Sequence, residues 1–163
     1  MEYRIATLSD LDLIWNKNIK NNPTDLRWVK WKEQFISYNK NGEAITFVCV
    51  NNNVPVGELT VLLSPKCKAV LNKPNLCNGK TIANLNALRI EKKFEGKGYI
   101  SKLVKFAEQY CKQIGIKFLT IGVEALESRN LSIYLHWGYT NFVCYEVDLQ
   151  EDNALVLYYQ KQL

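Results

Sequence analysis

The stretch that most constrains the fold runs from Thr81 to Val123, where a helical repeat lies between two strand-like runs. The runs TIANLNALRI and IKFLTIGV have the apolar and β-branched content that is typical of buried strands. Between them, Tyr99 starts a segment whose apolar residues recur at steps of three and four, and Gly115 is expected to end it. Its apolar positions are Ile100, Leu103, Val104, Ala107, Cys111 and Ile114. The chain is therefore predicted to contain a strand–helix–strand unit in a mixed α/β fold.

Two amphipathic helices are predicted near the N-terminus, after a short strand, YRIA. Ser9, with Asp12 three positions later, has the pattern of a helix cap, and Thr24 is expected to cap the second helix. Gly42 is expected to end that second helix. Apolar residues share one face of each helix: Leu11, Ile14, Trp15 and Ile19 in the first, and Trp28, Trp31, Phe35 and Tyr38 in the second. The aromatic stripe favours a core-facing surface over a ligand box.

The remaining segments predict a hairpin, a long loop, a short helix and a closing pair of strands. AITFVCVNNNVPVGELTVLL has two β-rich runs around an Asn-rich turn. SPKCKAVLNKPNLCNGK is a polar loop of a length that is typical of functional or mobile loops. LESRNLSIYLHWG is helical, and YTNFVCYEVDL and ALVLYYQKQL are antiparallel strands joined by the turn QEDN. The predicted order is β-α-α-β-β-β-α-β-α-β-β.

Length and composition indicate a globular protein of one domain, residues 1–163. The apolar fraction of 47% and the charged fraction of 23% argue against disorder. No apolar run is long enough to span a membrane, and MEYRIATLSD lacks the pattern of a secretion signal. The five cysteines form no CxxC pair and accompany one histidine, so we expect reduced thiols, a cytoplasmic location and no metal site.

The net charge of +5 includes two groups of lysines. A basic face of this kind is compatible with nucleic acid, with a small polyphosphate or with solvent. The first group lies in the long loop (Lys66, Lys68, Lys73 and Lys80) and the second near the glycine-containing junction (Lys92, Lys93, Lys97, Lys102 and Lys105). The second group is beside a helix start, which favours a small polyphosphate. No recognition helix or aromatic–basic ribbon is evident, so nucleic acid is the weakest of these hypotheses.

The segment EGKGYISK joins the predicted strand to the helix. The first turn of a helix has unpaired N–H groups and a partial positive charge, and glycines let backbone approach a ligand closely. Gly96 and Gly98 supply the bend, the amides from Gly98 to Lys102 the donors, and Lys97 and Lys102 the charge. The segment matches neither the P-loop nor the dinucleotide fingerprint. From these residues alone, a phosphate cradle and an ordinary tight turn both remain open.

The order of elements around this junction resembles the GCN5-related N-acetyltransferase (GNAT) family. The residues that carry the resemblance are LRIEKKFEGKGYISKLVKFAEQYCKQIGIKFLTIGVEALESRNLSIYLHWGYTNF, and it extends from about Ala83 to Phe142 and more loosely over the whole chain. The resemblance implies a mixed, mostly antiparallel sheet with a central β-α-β unit that binds acyl-CoA. It also implies an acyltransferase that uses acetyl-CoA (coenzyme A).

The family motif, R/Q-x-x-G-x-G/A, falls on residues 95–100, where Gly98 matches outright. Glu95 replaces a basic or amide residue, and Ile100 replaces a small one. The resemblance implies that backbone groups of Leu88, Arg89 and Ile90 pair with the pantetheine arm. The implied diphosphate site comprises Gly96, Lys97, Gly98, Tyr99, Ile100, Ser101 and Lys102.

The same resemblance places Tyr134 as the general acid beside the thiol sulfur. The alternative is that Tyr134 is a core aromatic residue of an amphipathic helix. Members of the family often have an Asn seven residues before this tyrosine; here that position is Glu127, and Asn130 is the candidate substitute. His136 lies two residues after Tyr134 and is expected to be a surface or structural residue.

The general base stays open at this stage. Where histone-acetylating relatives have a glutamate, this chain has Asn84, which with Asn86 on the same strand face could order a water. Glu58 and Glu124 are further candidates, although each is also explained as a solvated charge at a strand end.

The resemblance implies an N-acetyltransferase acting on a primary amine of a small molecule, with Trp28, Trp31 and the loop from Ser64 to Lys80 on the acceptor side. That loop has no carboxylate, which weighs against aminoglycoside or polyamine acceptors. Two alternatives stay open: a non-catalytic acyl-CoA-binding or regulatory module, and a protein amino-group acetyltransferase. A second copy of the chain is a further candidate partner, and neither nucleic acid nor a membrane is expected.

Overall fold

The computed structural model describes residues 1–149 and 153–163, and its elements follow the predicted order. Of the predicted turn QEDN, residues 150–152 lie outside the described residues. No helix in the described ranges is both long and apolar enough to cross a membrane. The helices and strands are β1 Glu2–Ile5, α1 Leu8–Asn21, α2 Arg27–Lys40, β2 Ala44–Asn51, β3 Val54–Leu62, β4 Ile82–Ile90, α3 Tyr99–Gln113, β5 Phe118–Glu124, α4 Ser128–His136, β6 Asn141–Asp148 and β7 Ala154–Gln162.

The strands form a mostly antiparallel sheet in the order β1-β2-β3-β4-β5-β7-β6. β4 and β5 run parallel, as expected for two strands joined through the crossover helix α3. The chain divides into two compact units, residues 1–61 with 87–107 and residues 62–86 with 108–163. β4 and α3 each contribute residues to both units. The single domain expected over residues 1–163 stays a prediction.

In the first unit, α1 begins at a different cap from the one predicted. Thr7, not Ser9, is the N-cap, and it forms a reciprocal capping box with Asp10. Asp10 also accepts two hydrogen bonds from Arg4 of β1, at 2.6 and 3.0 Å. The prediction for α2 was also wrong at its start, because the N-cap position is Leu26, not Thr24, and no side chain caps it. The contact between Arg4 of β1 and Asp10, which the local sequence does not show, fixes the start of α1.

The aromatic stripe of α2 packs partly into the core of the first unit, as predicted. Phe35 is buried, and its ring lies 5.1 Å from that of Trp15 on α1. Asn39 Nδ2 donates to Thr46 Oγ1 on β2, and Thr46 Oγ1 lies 2.7 Å from Thr60 Oγ1 on β3. These buried polar contacts fix α2 against the hairpin.

The predicted hairpin is formed by β2 and β3, with Asn52 and Asn53 at its turn. Both asparagines have positive φ, 49° and 61°. A two-residue turn with positive φ at both positions matches the right-handed twist of the strands, and Asn tolerates this backbone conformation. The NNN sequence was therefore an accurate local signal for the turn.

In the second unit, the long loop is packed against the sheet. Its apolar side chains Cys67, Val70, Leu76 and Cys77 are buried. Thr120 Oγ1 on β5 donates to the Leu76 carbonyl at 2.7 Å, which ties the loop to the sheet. These contacts favour a fixed loop over a mobile one.

The α3 helix has the predicted apolar face, with Leu103, Val104 and Ala107 buried. Its last predicted member, Ile114, lies beyond the helix end and is 45% exposed. The helical period therefore identifies the packed face of α3 correctly but includes one residue too many, Ile114. The helix ends before that residue, at the turn that contains Gly115.

Candidate functional site

The junction before α3 has the open backbone that the sequence predicts. Gly96 and Gly98 have φ values of 70° and 74°, and a Cβ built on either residue would meet nothing within 4 Å. The first helical hydrogen bond runs from Lys102 N to Gly98 O, at 3.2 Å. The N–H groups of residues 99–101 therefore have no partner within the helix. The junction combines unpaired donors, the positive end of the helix dipole and free space.

Phe94 organises the lysines at this junction and was not among the predicted site residues. It belongs to a single turn of 3₁₀ helix, Lys92–Phe94, directly before the glycines. The ammonium groups of Lys93 and Lys97 lie 5.1 and 5.7 Å from the centre of its ring. Phe94 could have been singled out in the sequence, because it is an aromatic residue inside the charged run EKKFEGK. The contacts keep two positive charges close to the helix start.

The two departures from the family motif have different surroundings. Glu95 is exposed, whereas Ile100 is half-buried near the start of α3. Ser101 is also half-buried, and Lys97 and Lys102 are exposed. An exposed carboxylate loses little hydration and is weakly repelled by a neighbouring anion, so Glu95 does not by itself oppose a phosphate here.

The residues predicted to pair with an extended ligand, Leu88, Arg89 and Ile90, form the end of β4. The described register pairs Ile82–Leu85 of β4 with Phe118–Ile121 of β5. Two residues later, Ala87 has a φ of 49°, a left-handed backbone conformation typical of a bulge. On the other edge, Glu91 N donates to Val56 O of the hairpin at 2.8 Å.

Tyr134 and Asn130 lie on α4, in the second unit. The Tyr134 side chain is half-buried, and its ring lies 5.8 Å from that of Trp137. Burial, and secondarily the nearby Glu127 carboxylate, raise the pKa of the Tyr134 phenol above its ordinary value of 10.0. Asn130 Nδ2 donates to Glu127 Oε2 at 3.0 Å, so the two candidates for the family's asparagine position are in contact. His136 is exposed at the end of α4.

The candidates for the general base have unlike surroundings. Asn84 is buried, and its Nδ2 donates to Thr120 Oγ1 at 2.9 Å, so its side chain is already used within the second unit. Glu124 is exposed at the end of β5. Glu58 was a candidate for the base, with a solvated charge at a strand end as the alternative explanation. That alternative is wrong, because Glu58 lies in the middle of β3 and its side chain is 1% exposed.

Glu58 forms an ion pair with Arg89 inside the first unit. Arg89 Nε donates to Glu58 Oε1 at 2.8 Å, and Nη2 lies 2.6 Å from the same oxygen without making a hydrogen bond. The guanidinium lies over the rings of Trp15 and Trp28, 4.5 and 5.1 Å from their centres. The opposite oxygen, Glu58 Oε2, is buried and has no hydrogen-bond partner among the described residues. Burial outweighs the arginine and raises the pKa of the Glu58 carboxyl.

A cavity of about 270 Å³ adjoins this ion pair, also within the first unit. The lysine at its edge, Lys17, is ion-paired with Glu91. Its wall comes from α1, the first half of β3, the end of β4 and the two residues that follow it: Ile14, Lys17, Asn18, Asn21, Pro55, Val56, Gly57, Glu58, Arg89, Ile90, Glu91 and Lys92. The acceptor side was predicted to involve Trp28 and Trp31. Trp28 reaches the Glu58–Arg89 pair through its contact with Arg89, whereas Trp31 contacts Arg27 and Trp28.

These elements now allow comparison with known proteins. The sequence matches the acetyltransferase (GNAT) family over residues 8–139, which is most of the chain. The chain therefore belongs to the GNAT acetyltransferase family. Membership confirms three predictions: the GNAT family, the enzyme class (an acyltransferase) and the cosubstrate, acetyl-CoA. No curated protein matches the chain in a sequence comparison.

Solved structures confirm the predicted fold class. A ribosomal-protein-alanine N-acetyltransferase from Brucella melitensis has a TM-score of 0.72 at 14% identity, with all of both chains covered. An aminoglycoside 6'-N-acetyltransferase complexed with coenzyme A has a TM-score of 0.67 at 14% identity, covering 99% of this chain and 97% of that one. A spermidine N-acetyltransferase variant from Vibrio cholerae has a TM-score of 0.70 at 14% identity, covering 99% and 95%. At these identities, the likeness concerns the fold.

Proposed function

We propose that this protein transfers an acetyl group directly from acetyl-CoA to the primary amine of a small molecule. The observation that carries the proposal is the start of α3, where amides without a partner in the helix follow two glycines of positive φ whose Cβ positions are open. Solved neighbours support a small-molecule acceptor, since they include aminoglycoside and spermidine N-acetyltransferases. The cytoplasmic location and the homodimer stay predictions.

The diphosphate of coenzyme A is assigned to the junction from Gly96 to Lys102. The N–H groups of Tyr99, Ile100 and Ser101 would donate to phosphate oxygens, and the helix dipole would favour their negative charge. Lys97, held over the ring of Phe94, adds a positive charge. The space next to Gly98 is open enough for the diphosphate, because a Cβ built on Gly98 would meet no atom within 4 Å.

The pantetheine arm is assigned to the end of β4, at Leu88, Arg89 and Ile90. The described pairing with β5 ends at Leu85, and the bulge at Ala87 follows it. An extended ligand can pair with exposed backbone groups as an added strand would. The arrangement supports such an edge at residues 88–90, directly before the junction that would hold the diphosphate.

Tyr134 is assigned as the general acid that protonates the departing sulfur, and Asn130 as a neighbouring polar group. Acetyl-CoA supplies the acetyl group as an activated thioester. The raised pKa of Tyr134 keeps the phenol protonated at neutral pH, so the proton is present when the sulfur needs it. The hydrogen bond from Asn130 to Glu127 orients that carboxylate at the start of the helix that carries Tyr134.

The experiment that tests the function measures free thiol release from acetyl-CoA with a panel of amines, together with a calorimetric titration of coenzyme A. We expect coenzyme A binding, and turnover with at least one small primary amine. Binding without thiol release for any amine would instead support the non-catalytic module. Turnover only with peptide or protein amino groups would support a protein acetyltransferase, as in the Brucella melitensis neighbour. Absence of both binding and turnover would contradict the proposal.

A further inference from the structure

We propose that the cavity beside Glu58 binds the acceptor, that Glu58 receives the proton of its nitrogen, and that the site selects a molecule with a single amino group over a polyamine. This inference rests on the proposed function and adds the acceptor site, the general base and the substrate class to it. All of the residues that line the cavity belong to the first unit.

The first argument is the unused oxygen of Glu58. A buried polar atom without a hydrogen bond is costly, so native structures leave few of them. Glu58 Oε2 is buried and unpaired among the described residues, although its side chain forms part of the cavity wall. An amino group in the cavity would donate to this oxygen. The orphaned acceptor therefore points to a ligand that carries N–H donors.

The second argument is that the carboxylate is fixed in place. Arg89 holds Oε1 through its Nε, and Asn18 Nδ2 lies 3.5 Å from the same oxygen. Arg89 is itself held over the rings of Trp15 and Trp28. These contacts leave Oε2 as the oxygen of the carboxylate that has no hydrogen-bond partner among the described residues. Such preorganisation is expected of a group that binds or deprotonates a substrate.

The third argument is the charge of the cavity wall. Three cationic side chains, Lys17, Arg89 and Lys92, outnumber the two carboxylates, Glu58 and Glu91. Glu91 is already paired with Lys17 and Lys93, so Glu58 Oε2 is the single acidic atom offered to an ammonium group. A second ammonium would meet a positive wall. The site therefore suits one amino group joined to a neutral or anionic remainder.

The size of the cavity agrees with a small acceptor that carries one amino group. At about 270 Å³ it lies near the lower limit of small-molecule sites. Ile14, Val56 and Ile90 provide apolar walls for a short aliphatic chain, and Asn21 lies on α1 at the edge. Ile90 and Arg89 also belong to the strand to which we assign the pantetheine arm, so the acceptor would lie next to the cosubstrate.

The chemical step balances without any further reactant. The bond between the amine nitrogen and the acetyl carbon forms, and the carbon–sulfur bond breaks. The acceptor enters as an ammonium ion. Glu58 first takes one of its protons and passes it to water, which leaves the neutral amine. Glu58 then takes the second proton, which the nitrogen loses as it bonds to the acetyl carbon, and Tyr134 gives a proton to the sulfur. Both residues then return to their starting states by proton exchange with water. Burial raises the pKa of the Glu58 carboxyl, which makes the carboxylate a stronger base than an exposed glutamate.

The first test compares three acceptors of equal chain length in the thiol-release assay: 4-aminobutanoate, butylamine and 1,4-diaminobutane. Their far ends are anionic, neutral and cationic. We expect kcat/KM to fall in that order, by about tenfold per step, because each step makes the charge of the far end more positive by one unit next to the cationic wall. A preference for 1,4-diaminobutane would overturn the proposed selectivity.

The second test is Glu58→Gln, which keeps the size of the side chain and removes its charge and basicity. We expect kcat/KM for 4-aminobutanoate to fall by about 100-fold or more, as for the loss of a general base, while the Kd of coenzyme A is unchanged. Glu33→Gln is the matched control, since Glu33 is exposed on α2 and forms no part of the cavity wall. Equal activity of Glu58→Gln and the wild type would overturn the role of Glu58.

A third variant keeps the inference testable if loss of the Glu58 charge prevents folding. Asn21→Phe introduces bulk at the edge of the cavity and leaves the Glu58–Arg89 pair intact. We expect it to abolish 4-aminobutanoate binding, measured by calorimetry with coenzyme A present, and to leave the Kd of coenzyme A unchanged. Unaltered amine binding would overturn the assignment of the cavity. A wild type that binds 4-aminobutanoate at this cavity but releases no thiol would support the binding site and contradict the proposed function, so the two failures are distinguishable.

Discussion

The role proposed for Tyr134 depends on its phenol keeping its proton. We predict that Tyr134→Phe lowers kcat by about 100-fold, the usual effect of one acid–base group, and leaves the Kd of coenzyme A nearly unchanged. Tyr145→Phe is a matched control, because Tyr145 is 65% exposed on β6. Steady-state kinetics and calorimetry measure both quantities. Unchanged turnover in Tyr134→Phe would remove this residue from the mechanism.

The direction of the pKa shift adds a pH test to this prediction. Because the pKa of Tyr134 is raised above 10.0, the phenol is protonated throughout the neutral range. Its contribution as an acid is lost only as the pH rises through that raised value. The ratio of kcat between wild type and Tyr134→Phe should therefore be constant between about pH 6 and 9. A ratio that falls within this range would indicate a different proton donor.

At the residue scale, the sequence predicted the backbone geometry of the glycine turn but did not show that Glu58 is buried. Gly96 and Gly98 have the positive φ values expected of a glycine turn. From the sequence, Glu58 was either a candidate base or a solvated charge at a strand end. In the structure it contacts Arg89 and Asn18, and Arg89 lies over the ring of Trp15. Those three residues come from β4 and α1, and no local pattern shows that they cover the middle of β3. A buried carboxylate is recognisable only once its partners are known.

At the scale of single elements, the start of α1 depends on an ion pair with β1. The hydrogen bond from Arg4, which outweighs burial, and further bonds from Thr7 lower the pKa of Asp10 from 3.8 to about 2. A carboxyl with a lowered pKa stabilises the fold above its unfolded value, and this contribution is lost as the pH falls towards the folded value. The shift corresponds to about 2 kcal/mol of unfolding free energy at neutral pH.

We therefore predict that Asp10→Asn lowers the free energy of unfolding by about 2 kcal/mol at pH 7 and by clearly less at about pH 3. Urea denaturation at both pH values measures this difference. Asp12→Asn is the control, since Asp12 is an exposed partner of Lys32 and should change stability by less than about 1 kcal/mol. An equal loss for Asp10→Asn at both pH values would contradict the proposed ion-pair origin.

The types and order of the elements were predictable, whereas their ends were less so. In TLSDLD, residues 7–12, Thr7 with Asp10 and Ser9 with Asp12 have the same spacing, and only the second pair was predicted as a cap. Arg4 binds Asp10, and this contact with β1 selects the first pattern. The long loop between β3 and β4 was recognised from its prolines and polarity. Its anchoring through Leu76 and Thr120 depends on a residue far along the chain and has no local signal.

At the scale of the whole molecule, the family assignment and the element order agree, although the sequence identity with the solved neighbours is only 14%. The pattern of strand, glycine turn, helix and strand is tied to backbone conformation, so it persists when side chains diverge. The acceptor site is different, because it consists of side chains that vary between proteins of one fold. The cavity beside Glu58 therefore required the three-dimensional structure.

The central claim is that the start of α3 holds the diphosphate of coenzyme A, and calorimetric titration of two glycine variants tests it most directly. Gly98 and Gly42 both have positive φ, 74° and 70°, and both face open space, so Ala at either position has a similar backbone cost of about 1–2 kcal/mol. Only Gly98 lies at the proposed phosphate site. We predict that Gly98→Ala raises the Kd of coenzyme A by at least about tenfold, the loss of roughly one charge-assisted hydrogen bond, and that Gly42→Ala leaves it unchanged. Equal affinities in the two variants would contradict the claim.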